Sequence, residues 1–363
     1  MCPRNWTVSD AAARAADRAC IDKVSSGQHH SSLNRLEQIM NDFPKLGLDI
    51  AKKTFQAVLL RQSKQRHKKF DNTPAGFADL SAWLVQQGVE QVHVCLEATG
   101  IYSDAVARFL HQAGHLVSLV NPARIKAFAQ SRLVRTKNDK ADAGLIARYC
   151  DEACPDAWTP PPVEITELQA LMRHLDSLDQ TRGQLRNRLT DGPQIELVLA
   201  SLRKLIAEIE AETERVWQQV RDHIKGHPEL KAQAALIDSI PGIGELTAAK
   251  LLGEITQLRA YNSASQVVAY AGLNPKERQS GTSIKGQSRI SKTGNARIRK
   301  ALYMPAIVAL KHNPLIRALG ERLEERGLVP LAIVAAAMRK LLHLVFGVVK
   351  SGKEFDPNHA LAS

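Results

Sequence analysis

The chain has 363 residues, with 49 Lys or Arg against 37 Asp or Glu, a formal charge of +12 and a pI near 9.5. That length exceeds one typical core, and that charge suits a polyanionic partner while leaving the chemistry open, a ribosome-associated factor included. Five cysteines without a C-x-x-C pair exclude a disulfide framework and a structural zinc site, and aromatic residues at 5% are too few for a platform that stacks single-stranded bases.

Residues 1–44 carry little periodicity and no signal-peptide apolar region, so a poorly ordered extension is expected there, with Met40 as the working initiator. Leu46–Ile50, Phe55–Leu60 and His67–Phe70 then read as strands, followed by a helix from about Pro74 to Gln87. A buried strand at Val92–Leu96, a helix over Tyr102–Ala113, a strand at Leu116–Val120 and helices over Pro122–Arg132 and Asn138–Ala153 complete the first unit. The order βββαβαβα is that of a ribonuclease-H-like α/β domain, expected over residues 45–154.

The prolines between Pro155 and Pro162 lack amide donors and constrain their predecessors, so residues 155–162 are expected to be a linker. Over residues 163–230, Leu168, Leu171, Leu175, Leu178, Leu185 and Leu189, then Ile195, Leu199, Leu202, Ile206, Ile209, Thr213, Val216 and Val220, fall at helical spacing on either side of Gly192-Pro193. A helical hairpin with a coiled-coil seam follows, its stripe serving either a dimer contact or internal packing. From about residue 231 to 355 the chain turns to Gly-punctuated helices rich in Ala, Leu, Lys and Arg, a mostly helical C-terminal domain followed by a tail at 356–363. The strongest apolar run, Leu341–Val349, falls short of the ~20 residues that span a bilayer, so a soluble protein of a reducing cytoplasm is expected, with no membrane partner.

Four carboxylates carry the chemistry. Asp49 lies in the apolar strand of Leu46-Gly-Leu-Asp49-Ile-Ala-Lys, and Glu97 ends the apolar strand before Ala-Thr-Gly100. An acid in an apolar strand must be satisfied by a partner, since burying an unpaired charge is too costly. Asp139 and Asp142, at i and i+3, project from one face of a helix start. Taken singly, Asp139 reads as an N-cap and Asp142 as a surface partner of Lys137; it is their joint order that points to a metal site. Oxygen donors of this kind suit two hard divalent cations, Mg2+ or Mn2+, which activate an attacking oxygen and neutralise a leaving one in phosphoryl transfer.

The segments LGLDIAK, LEATGIYSD, SLVNPARIKAFAQS and TKNDKADA, with IPGIG, AYAGLNP and SGTSIKGQSRISKTGNARIRKALYMPA downstream, resemble the DEDD, serine-dependent transposases of insertion sequences, the Piv-like family of bridge-RNA-guided recombinases. The likeness runs from about Lys45 to Phe355. It implies a RuvC-like catalytic domain holding Asp49, Glu97, Asp139 and Asp142, a helical spacer, and a C-terminal transposase domain that supplies a nucleophilic serine, Ser280. The loop chemistry alone does not choose among Ser280, Ser283, Ser288 and Ser291; the choice of Ser280 rests on the resemblance. It further implies double-stranded DNA at an element junction and a target, a guide RNA, and a homo-oligomer, a dimer of dimers with a composite site. A bacterial, nucleoid-associated location follows from the same likeness. The alternative is a RuvC-like junction nuclease that uses water, with Ser280 structural; a third reading keeps the fold as a non-enzymatic scaffold.

Several features fit a nucleic-acid partner. Leu236 to Lys250 reads as a helix-hairpin-helix whose Gly242-Ile-Gly244 turn exposes amides to a phosphate, or as a plain structural turn. Between Lys276 and Lys300 only Glu277 opposes a cationic run in which Lys285, Arg289, Lys292, Arg297 and Arg299 are expected to grip phosphates, with strong salt dependence. Arg124, Lys126, Arg132, Arg135 and Lys137 could do the same near the carboxylates. Tyr303, a conceivable rival nucleophile, is expected in the core because its helical neighbours are apolar. No G-x-x-x-x-G-K-[ST] loop is present, in keeping with a covalent intermediate that conserves phosphodiester energy without ATP.

Overall fold

The computed structural model of the chain describes residues 43–62, 64–98, 100–132, 139–192, 195–276, 279–280, 284–285 and 289–358. The expected extension falls almost wholly outside the described residues, as does the end of the tail. The chain forms two compact units, 1–160 and 161–363.

The first unit is a mixed five-stranded sheet with helices on both faces. Its strands are β1 (Lys45–Ile50), β2 (Thr54–Arg61), β3 (Lys64–Asp71), β4 (His93–Glu97) and β5 (Leu116–Val120), in the order β3-β2-β1-β4-β5. Short turns make β1, β2 and β3 antiparallel neighbours, whereas the helices α1 (Pro74–Gln86) and α2 (Ile101–Gln112) carry the chain across so that β4 and β5 run parallel to β1. β1 is central and covered on both faces: Leu46, Leu48 and Ile50 line one, and Lys45, Gly47 and Asp49 stand on the other. Leu46, Leu48 and Leu96 point into a core with Phe77, Leu80 and Trp83 of α1 and Val106 and Leu110 of α2. The other face takes α4 (Asp139–Ala153), through Val58 against Ala143 and Ala147, and Cys95 against Ile146 and Cys150. Thr73 and Asn121 cap α1 and α3 (Pro122–Ser131), each followed by a proline in the first turn. The observed element order and spans follow the expected ones within a few residues.

The proline segment is fastened to this unit. His93, wholly buried on β4, donates through Nε2 to Ser118 Oγ at 2.8 Å, and Ser118 donates onward to the carbonyl of Pro155 at 2.9 Å. The Trp158 amide donates to Val117 O at 2.6 Å, and its ring lies edge-on to His111.

The second unit begins with the hairpin of α5 (Val163–Asp191) and α6 (Glu196–Gly226). The base of the hairpin, including Leu168, Met172, Leu175, Val216 and Val220, belongs to the same core as the C-terminal helices, while Leu185, Leu202 and Ile206 make a separate small cluster toward the tip. The stripe is thus used internally. Ile195, counted in it from spacing, is instead 59% exposed, because it precedes the first turn of α6.

There follow α7 (Pro228–Asp238), α8 (Glu245–Glu254), α9 (Ala264–Ala271), the short strands β6 to β9, and α10 (Ala296–His312), α11 (Pro314–Glu325) and α12 (Pro330–Ser351). The run Leu341–Val349 is part of this last helix, which continues through Arg339 and Lys340 to 22 residues, long and apolar enough by length and composition to cross a membrane. The expectation of a run too short for that is corrected: two adjacent cations do not interrupt a helix. One face of α12, including Ala337, Leu341, Leu342, Val345 and Val349, lies in the core of the unit, the setting of an interior helix.

Candidate active site

Three of the four acids converge. Asp49 and Gly47 stand on the same face of β1, and the parallel register Leu48↔Leu96 sets Asp49 beside Glu97 at the ends of β1 and β4. Asp142 arrives on the first turn of α4. What brings that helix so close is Gly47: a Cβ there would fall 2.2 Å from the carbonyl oxygen of Ala143 and 2.3 Å from the nitrogen of Ala147. Side-chain patterns do not single out Gly47. Its signal in the sequence is only a glycine interrupting an apolar strand, which marks a close backbone approach.

The electrostatics report the convergence. Glu97 is half-buried, and burial first, then the negative charges of Asp49 and Asp142, hold its carboxyl above the usual carboxylate range. Crowded carboxylates of this kind are relieved by a proton or by a hard cation, and oxygen donors are the chemistry that Mg2+ and Mn2+ take. The donor set therefore fits a divalent metal. Among the described residues no three His, Cys, Asp or Glu side chains are already gathered at metal-binding range. Asp139 opens α4, but its side chain lies outside the described residues. Beyond Glu97 the chain turns through Gly100, whose φ of +88° favours glycine, into α2.

Ser280 is carried on an arm of the second unit. Pro275–Lys276 pairs antiparallel with Arg289–Ile290, and Gln279–Ser280 pairs antiparallel with Ile284–Lys285, so that Ser280 opposes Ile284. The side chains of Ser280, Lys285 and Arg289 lie outside the described residues, as do Ser283 and Ser288, and Arg135 and Lys137 near the acids. The base of the arm is firmly set. The Ser291 amide donates to Asn274 O at 2.8 Å and that of Lys292 to Gly272 O at 3.1 Å, while Arg299 Nη1 donates to Ala271 O at 2.9 Å and Gly294 O at 3.2 Å.

The remaining cations have definite partners or open surroundings. Lys292 is exposed, with φ at +55°. Arg297 reaches Asp176 at 3.5 Å and Glu254 at 3.8 Å. Glu254, 7% exposed at the end of α8, also receives Arg173 Nε at 3.2 Å and Asn295 Nδ2 at 2.8 Å. Sequence reasoning missed this buried carboxylate, because α5, α8 and α10 meet only on folding. Arg173, Arg297 and Lys300 line a cavity of about 390 Å³ beside it. Near the acids, Arg124 and Lys126 are exposed, and Arg132 pairs with Glu152.

The Gly242–Gly244 turn does join two helices, α7 and α8. Gly242 has φ +103° and lies against α10, where a Cβ would come within 2.7 Å of the Ala309 methyl; Gly244 is exposed at the start of α8. Tyr303 is 42% exposed, not in the core as its neighbours implied: the buried face of α10 runs through Ile298, Leu302, Ala306 and Ala309, and Tyr303 lies one residue round from it.

Comparison with known proteins covers both units. Residues 46–192 match a transposase model of the DEDD type of IS110 elements, and residues 234–321 match the model described as the transposase IS116/IS110/IS902 family. The chain is 34% identical over 319 residues to the pilin gene-inverting protein of Moraxella bovis, covering 86% of this chain and 97% of that protein, and equally similar to that of Moraxella lacunata. It is 25% identical over 329 residues to the transposase for insertion sequence element IS1111A of Coxiella burnetii, covering 80% and 85% of the two chains.

Proposed function

We propose, from the premise that this chain belongs to the IS110/IS116/IS902 transposase family and is therefore an enzyme that cuts and joins DNA, that it exchanges strands at the ends of an insertion sequence through a phosphoserine. In this reading residues 45–154 are a ribonuclease-H/RuvC-like catalytic domain, 155–162 a linker, 163–230 a hairpin spacer and 231–355 the transposase domain that presents Ser280.

Ser280 Oγ attacks a DNA phosphorus, its proton leaves to a carboxylate of the acidic cluster, and as the bond to the 3′ oxygen breaks that carboxylate passes the proton to the departing oxygen, giving a phosphoserine and a free 3′-hydroxyl. The hydroxyl of the exchanged strand then attacks the phosphoserine, which returns the proton to Ser280 and restores a phosphodiester. Asp49, Glu97, Asp139 and Asp142 would hold the divalent metal that the family implies, Mg2+ or Mn2+. When bound it supplies charge neutralisation at the reacting phosphate. The observation that carries the reading is the meeting of Asp49, Glu97 and Asp142, where burial and the charges of the two aspartates hold the Glu97 carboxyl above its usual range.

The substrates in this reading are double-stranded DNA at the element junction and the target, paired through a guide RNA, in the bacterial nucleoid. A dimer of dimers would let the serine of one protomer serve the acids of another. Lys285, Arg289, Lys292, Arg297 and Arg299, with the Gly242–Gly244 turn, would hold backbone phosphates.

The test is Ser280→Ala on a junction substrate with trapping of covalent protein–DNA adducts. The adduct and strand exchange should both vanish, a loss of at least about 10³-fold. Cutting that persists without an adduct would make the enzyme a hydrolytic junction nuclease, and Asp49→Asn with unchanged cutting would remove the acids from the chemistry altogether.

A further inference from the structure

The edge strand β3 reads Lys64-Gln-Arg-His-Lys-Lys-Phe-Asp71, and of its eight side chains only Phe70 is buried. Lys64, Arg66, Lys68 and Lys69 are exposed, and none of the four has an ion-pair partner among the described residues; Lys68 alone is engaged, 5.2 Å over the Phe70 ring. No acidic residue occurs from Lys52 to Phe70, and Lys52 and Lys53 extend the exposed positive charge round the β1–β2 turn, at the end of the sheet where Asp49 lies.

The register links this strip to the acids. Asp49 pairs with Gln56, and Gln56 pairs with Lys69, so the three stand in one row across the sheet and share a face. Neighbouring strands lie about 4.8 Å apart, which puts Lys69 roughly 10 Å from Asp49. Lysines on an edge strand also deter pairing with another sheet, but one or two suffice for that, and the role does not call for a cation in the row of the acids. Of the four cations of β3 only Lys69 lies on that face; Lys64, Arg66 and Lys68 alternate onto the opposite one. Cations on both faces of the edge, one of them in the row of carboxylates that repel phosphate, are what a polyanion backbone needs in order to be held beside those acids.

We propose that β3, with the Lys52–Lys53 turn, is a binding surface for the phosphate backbone of the DNA strand being cut, and that it holds the strand across the row that ends at Asp49 and Glu97. The proposal rests on the reading of those acids as the cutting site.

The experiment uses the full chain with Lys64, Arg66, Lys68 and Lys69 all changed to Gln, which removes the charge and keeps a polar side chain at exposed positions, and a second variant changing Lys52 and Lys53. Binding to a duplex carrying an element end is measured across a salt series beside a structured RNA of the same length. The expected result is a loss of about tenfold or more near physiological salt, with the log–log salt slope shallower by about 0.9 for each phosphate contact removed. Unchanged DNA affinity and slope in both variants, aggregation with unchanged affinity, or a loss confined to the RNA would each overturn it. Cleavage by Asp49→Asn is read separately: if that variant cuts normally the reading of the acids fails, whatever the binding series shows.

Discussion

Asn295 stands between the buried carboxylate of Glu254 and the first turn of α10: its amide nitrogen donates to Glu254 Oε2 at 2.8 Å, while its Oδ1 accepts from the amides of Arg297 and Ile298. One side chain thereby caps a helix and ties the exit of the serine-bearing arm to α8, whose last residue also takes Arg173 from the hairpin.

Asn295→Asp separates those two duties. An aspartate caps equally well, but it sets a second carboxylate against one already buried, so unit stability should fall by about 1–3 kcal/mol in denaturant titration. Combining Asn295→Asp with Glu254→Gln reverses donor and acceptor, and most of the loss should be recovered. A double variant no more stable than Asn295→Asp alone would show that the hydrogen bond is not what the pair contributes.

Gly47→Val should act on the site through packing alone. The new side chain meets the backbone of Ala143 and Ala147, which cannot rotate aside, so α4 must move away from β1 and carry Asp142 with it. Overpacking of this kind costs about 1–3 kcal/mol. Strand cutting should fall much further than the folded fraction does, while DNA binding by the folded protein persists; cutting that follows the folded fraction alone would argue against the placement of Asp142.

Glu97 gives a pH signature in metal-free protein. Its carboxyl is held above the ordinary range in the fold, by burial and then by Asp49 and Asp142, so the folded state favours the protonated form. The stabilisation this brings is complete below the unfolded value of about 4.3 and is lost as pH rises through the higher folded value. In chelator, Glu97→Gln should therefore melt higher than the parent above that window and lose the pH dependence. Adding Mg2+ should raise the melting temperature of the parent and leave Asp49→Asn nearly unmoved.

Ser118→Ala tests the fastening of the proline segment. It leaves His93 Nε2 buried without its partner, in a side chain whose Nδ1 already lacks one, and it frees the Pro155 carbonyl. A cost of about 1–3 kcal/mol is expected, with faster proteolysis at 155–162; equal protease resistance in the variant would show that Trp158 alone holds the segment.

Much of this protein was legible in the amino-acid order. Period-two and period-three-to-four apolar patterns, prolines and caps act over a few residues, so the strands, α1 to α4 and the hairpin could be read in place, and the acids stood out because charge in an apolar strand demands a reason. Other features arise from residues distant in sequence and were decided by packing. Gly47 matters through Ala143, and Glu254 through Arg173 and Asn295. Tyr303 faces outward because of which side of α10 found a neighbour, and Lys69 shares a row with Asp49 because β2 lies between their strands. Local propensity has no term for which strand becomes an edge or which helix face is covered; the assembled core settles both, since apolar area is buried only where another element comes to meet it.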